Sequence, residues 1–170
     1  MHLEPVYLKI TINASAPIIF ATIIDLPAYS TWLEESGVFK GTTEVSDVPV
    51  REGTTYIETG PAGVRYGTVT ELQEPSKVTF AQPMTLKPVF LGLIIGVRVR
   101  MTINEEEGGG SLLERTVDLD LPWILWPFQS IIREMFRKES QRTMDKLKVW
   151  IEKKVNTGAE GVSVEHSEGI

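Results

Sequence analysis

The sequence predicts an α+β domain, an antiparallel sheet followed by one long helix, and three observations carry that reading. Between residues 38 and 121, apolar and polar residues alternate in short runs separated by glycine, proline and charged turns. From Pro127 to about Lys154 the apolar residues recur instead every three or four positions. Near the start, Ile10–Trp32 reads as a strand, a short helix and a break at Pro27. A period of two marks a strand with one buried face, and a period near 3.6 marks an amphipathic helix.

Each element follows from local chemistry. Ser15 is placed to cap the first helix, and Pro17 suits its first turn, where the missing N–H is harmless. Ile18, Ile19, Ala21, Thr22 and Ile23 carry that helix to Asp25, and Pro27 ends it. Six strand-like stretches come next: Val38–Val45, Thr54–Thr59, Val64–Leu72, Lys77–Gln82, Val97–Asn104 and Ser111–Leu121. Gly60–Gly63, Glu74–Ser76 and Glu105–Gly110 supply turns between them. In the fifth stretch Val97, Val99, Met101 and Ile103 oppose Arg98, Arg100 and Thr102. In the sixth, Leu113, Arg115, Val117 and Leu119 oppose Glu114, Thr116, Asp118 and Asp120. The stretches 54–60 and 64–72 alternate without declaring which face is inner. The long helix shows Phe128, Ile131, Ile132, Met135, Phe136, Leu147, Trp150 and Ile151 on one stripe and Arg133, Arg137, Arg142 and Lys146 opposite. Asn156–Ile170 is rich in Gly, Ser and Glu. The expected division is one domain over residues 1–154 and a flexible tail over 155–170.

Composition narrows the chemistry. The chain has 170 residues, 42% of them hydrophobic, and a formal net charge of −6. That length suits a single domain with a real core. A net negative charge opposes phosphate backbones, so no nucleic-acid partner is expected. Cysteine is absent, and the two histidines, His2 and His166, lie at the extreme ends. Disulfides, thiol nucleophiles, Ser-His-Asp triads and His- or Cys-ligated metals are thereby excluded. No glycine-rich nucleotide loop occurs. The expectation is no metal and no cofactor, so any catalysis falls to Asp, Glu, Tyr, Lys or Arg. No apolar run is long enough to span a bilayer and no signal-like segment opens the chain, which leads to the expectation of a soluble, cytoplasmic protein.

Several local matches point to a known family. The pattern Ile12-x-Ala14-x-Ala16-Pro17, an apolar helix, then Asp25, Tyr29 and Trp32 is one. Gly53-Thr54-Thr55-Tyr56, the turn Glu71–Phe80 and Gly109-Gly110-Ser111 are others. Together they resemble the START-like (SRPBCC, Bet v 1-like) superfamily, polyketide cyclase/dehydrase-like, over roughly residues 5–153. The resemblance implies a helix-grip fold: a curved antiparallel sheet of six to seven strands around the long C-terminal helix, with two short helices after the first strand. It also implies a hydrophobic cavity that takes a polyketide, aromatic or lipid-like molecule.

Polar residues on otherwise apolar faces are the candidate site. Arg115 shares a face with Leu113, Val117 and Leu119, where a guanidinium can meet a ligand oxyanion. Glu139, on the helix stripe, is a candidate base or a partner for Arg115; pairing with Arg137 or Arg142 on the surface is the alternative. Tyr66, in line with Thr68 and Thr70, is a candidate hydroxyl donor or an ordinary strand aromatic. The expected ligand-binding wall is Trp32, Tyr56, Phe80, Phe90, Val99, Met101, Val117, Phe128, Ile132 and Met135. Segments 84–96 and 123–126 are loops with hardly a polar side chain, against the usual rule. They suggest either a hydrophobic rim, used as a gate, a dimer contact or a transient membrane contact, or a plain cap on the core. Two functions of different class stay open: a cofactor-independent cyclase or dehydratase, and a lipid carrier without catalysis that loads through those loops. The expected partner is a small hydrophobic molecule, on a monomer or a homodimer.

Overall fold

The computed structural model describes residues 1–164. Eight strands form one antiparallel sheet: β1 (Val6–Ile12), β2 (Gly41–Thr43), β3 (Thr55–Thr59), β4 (Gly63–Gln73), β5 (Lys77–Ala81), β6 (Met84–Leu86), β7 (Ile94–Glu105) and β8 (Ser111–Asp120). Their order is β1-β8-β7-β5-β4-β3-β2, with β6 bridging β4 and β7. Helix α1 (Ala16–Ile24) and a 3-10 turn (Leu26–Thr31) follow β1, and α2 (Gln129–Val164) closes the chain. This is the helix-grip arrangement, one strand richer than expected. The extra strand, β6, lies in the apolar segment 84–96, where the sequence shows no alternation long enough to mark three residues as strand.

Alternation sets the inner face. Val97, Val99, Met101 and Ile103 of β7 and Leu113, Val117 and Leu119 of β8 are buried. The register pairs Arg115 with Leu8 of β1 and Met101 of β7, with no bulge, so its side chain is held on that same face. On β4 the buried positions are Gly63, Arg65, Gly67 and Val69. Gly67 lies opposite Tyr56 of β3, and a Cβ there would come within 2.2 Å of the Tyr56 ring. The bare glycine lets that ring lie flat across the strand.

Two local expectations change. Ser15 occupies the N-cap of α1 but makes no side-chain capping bond; its carbonyl accepts from the Ile18 and Ile19 N–H groups instead. The long helix begins at Gln129, after a 3-10 turn at Trp123–Phe128 that contains Pro127. It runs past Lys154 to Val164, so residues 155–164 of the expected tail are helical, and residues 165–170 lie outside those described. Phe136, Met144, Leu147 and Ile151 bury against the sheet. Among the described residues, no helix is long and apolar enough to cross a membrane.

Candidate functional site

Sheet and helix do not close completely on each other. Between them lies a cavity of about 50 Å³, space for a few waters. Tyr56 and Glu58 of β3, Arg65 of β4, Phe80 of β5, Val97, Val99 and Met101 of β7, and Arg115 and Val117 of β8 line the sheet side. Phe136, Glu139, Ser140 and Thr143 of α2 line the helix side, and Tyr29, Leu33, Phe39 and Gln82 complete the wall.

The polar groups in this space are individually placed. Arg65 Nη1 donates to Glu58 Oε2 at 3.1 Å, and the Arg65 guanidinium lies 5.9 Å from the centre of the Phe136 ring. Gln82 Nε2 donates to the Tyr56 hydroxyl at 2.6 Å, and the Tyr29 hydroxyl donates to the Ile23 carbonyl at 2.6 Å. Burial raises both tyrosines well above the usual phenol range, and the charge of Glu58 adds to the effect. Both hydroxyls therefore stay neutral. Among the described residues, Arg115 makes no ion pair and its Nε finds no hydrogen-bond partner. Arg115 is half-buried and lines the cavity. Desolvation lowers its pKa, while the charge of Glu58 pulls the other way.

Glu139 lies at the boundary of the cavity. Its carboxylate accepts from Ser36 Oγ at 3.0 Å and from Arg142 Nη2 at 2.9 Å and Nε at 3.2 Å. Arg142 also donates to the Glu34 carbonyl at 3.0 Å, so the segment 34–39 is tied to α2 at two points. Ser36 Oγ accepts from the Val38 and Phe39 N–H groups, which holds that segment in a tight turn. Beyond this tie runs an open groove of about 740 Å³, lined by Val38, Ala62, Ile131, Met135 and again Glu139. Cavity and groove thus share one residue and are separated by one short loop.

Seven of the expected site residues line the cavity: Arg115, Tyr56, Phe80, Val99, Met101, Val117 and, at its boundary, Glu139. The surface alternative for Glu139 also holds in part, since Arg142 is its ion-pair partner. Met135 lines the outer groove, and Ile132 packs partly buried against the core. Four placements are corrections. Tyr66 is 53% exposed on the outer face, because β4 turns its odd-numbered residues inward. Trp32 is buried against Tyr29, with ring centres 5.0 Å apart, behind the cavity and not in its wall. Phe90 and Phe128 are 85% and 54% exposed, since both sit in 3-10 turns beyond the end of the sheet. The residues not anticipated are Glu58, Arg65, Gln82, Ser140 and Thr143. For Arg65 a signal existed: it shares its parity with Gly67 and Val69, the small and apolar members of β4.

A family model described as polyketide cyclase / dehydrase and lipid transport matches residues 5–152. The chain belongs to this family. Solved structures agree at the level of fold. The START superfamily protein from Mycobacterium smegmatis is 16% identical, with 88% of this chain and 97% of that one covered and a TM-score of 0.63. Truncated norcoclaurine synthase from Thalictrum flavum is 10% identical over 89% of this chain and 94% of its own, with a TM-score of 0.68. A conserved protein from Geobacillus kaustophilus is 12% identical over 88% and 96%, with a TM-score of 0.67. A search of curated proteins finds no match.

Proposed function

We propose that this member of the family binds a small hydrophobic molecule (polyketide, aromatic or lipid-like) across the internal cavity and the groove that adjoins it at Glu139, and carries out cofactor-free acid–base chemistry on it. The observation that supports this most is the Arg115 guanidinium, without an ion-pair partner in a cavity wall that mixes apolar and polar side chains. The walls fold a flexible chain into a reactive shape. Arg115 stabilises charge on a carbonyl oxygen as it becomes an enolate, and the Glu139 carboxylate receives the proton released from carbon. Native mass spectrometry of the purified protein tests the binding step. A bound small molecule of a few hundred daltons or less is expected. A protein that carries none, and takes up none from a panel of aromatic and acyl compounds, overturns the reading. With a turned-over substrate in hand, Arg115→Ala and Glu139→Gln are each expected to lower kcat by about 10²- to 10⁴-fold.

A second reading, a lipid carrier without catalysis, is favoured by a separate observation. Phe90 is 85% exposed, Trp123 78% and Ile131 70%, with Val89, Leu91, Ile94 and Ile124 also exposed. These residues project from two 3-10 turns, from the first position of β7 and from the start of α2, which borders the groove. An apolar edge of this kind suits insertion into a lipid surface. Co-sedimentation with phosphatidylcholine vesicles is expected for the native chain and a loss of roughly tenfold or more for the Phe90→Ser, Trp123→Ser double variant. A native chain that stays in the supernatant counts against membrane loading.

A further inference from the structure

The charges around the cavity do not cancel. Arg65 pairs with Glu58, and Glu139 pairs with Arg142 at the rim. Arg115 is left over. Neither tyrosine in the wall can serve as its counter-ion, because both are held neutral by burial. A cation drawn partly out of water without a partner is costly, and the cost is met when something else supplies the opposite charge. Within the ligand-binding reading just given, on which this step rests, the geometry points to a ligand that is a monocarboxylate and enters head first, its carboxylate on Arg115 and its apolar remainder in the groove beyond Glu139.

Three further features fit that ligand. The planar guanidinium matches a carboxylate with two parallel N–H···O bonds, which fall to the two Nη groups because protein closes off the unpartnered Nε. The closed cavity, about 50 Å³, holds a head group and little more. The larger space lies outside, about 740 Å³, and its walls include Val38, Ala62, Ile131 and Met135. The loop at 34–39 stands between the two, held by Ser36 and Arg142 through bonds that a small rearrangement can break.

The test uses the full chain and two probes of nearly equal shape, 2-naphthoate and 2-naphthamide, in calorimetric titration. Native protein is expected to bind the acid at least about tenfold more tightly than the amide. In Arg115→Met that ratio is expected to fall close to one while amide binding persists. The same variant, free of ligand, is expected to melt several degrees higher than the native chain, because a half-buried unpaired charge is gone. Equal binding of acid and amide by the native protein overturns the carboxylate assignment and leaves the hydrophobic cavity standing. Binding of neither, with no co-purified molecule, overturns both. An Arg115→Met chain that is less stable, or that does not fold, shows that Arg115 has a structural role and overturns the assignment as well.

Discussion

Tyr29 shows how far one side chain reports on the cavity. Its hydroxyl is buried and satisfied by the Ile23 carbonyl, and its ring packs on Trp32. Both it and Tyr56 hold their protons well above the usual phenol pKa of 10, chiefly through burial. Below pH 10 the folded and unfolded chains are equally protonated at these sites. Above pH 10 the unfolded chain releases protons that the folded chain keeps, so stability falls as pH rises. Each tyrosine contributes a slope of about 1.4 kcal/mol per pH unit in that window. Tyr29→Phe is therefore expected to make the alkaline limb shallower by about that amount between pH 10 and 12. At neutral pH it costs about 1 kcal/mol for the lost hydrogen bond. Urea unfolding followed from pH 8 to 12 reads both effects, and an unchanged alkaline slope would sink the assignment.

The segment 34–39 is the element on which access depends. It has no helix or strand of its own, and its hold on α2 consists of the Ser36–Glu139 bond, the Arg142–Glu34 bond and the ion pair from Lys146 to the Glu34 carboxylate. Ser36 also supplies the acceptor for two backbone N–H groups. Ser36→Ala removes the first of these ties and the side-chain acceptor of the turn together, leaving the two ties at Glu34. Amide exchange at Val38 and Phe39 is expected to quicken by roughly tenfold, equivalent to about 1.4 kcal/mol of local stability. Exchange in β7 and β8, at the centre of the sheet, is expected to stay as it was. Uniform acceleration over the whole chain would mean that the loop opens only when the protein unfolds, and would remove it as a gate.

At the scale of the molecule, sequence legibility follows periodicity. The strands around Val97–Ile103 and Leu113–Leu119 could be placed and faced from residue order alone, because alternation encodes direction. Arg115 could be found for the same reason: it interrupts an apolar face. What could not be read depends on pairing between distant residues. Arg65 and Glu58 meet only once β3 and β4 take their register, and the run Val64–Val69 offers an apolar or aromatic residue on both faces. Tyr66 therefore looked as eligible as its neighbour. Phe90 and Phe128 illustrate a different limit. Hydrophobicity says that a side chain avoids water, not that the fold has room for it, and both ended on the outside. Glu139 needed both readings at once, since it lines the cavity and pairs with Arg142.

The length of α2 has a practical side. Its first turns, around Ser130 to Arg142, border the groove, whereas the helix continues far beyond it. At 1.5 Å per residue, about 24 Å of helix separates Arg142 from Gly158. A dye, tether or sensor surface joined at the C-terminal side therefore sits well away from the entrance. The chain can be anchored there for the binding tests above, with the groove turned toward the sample.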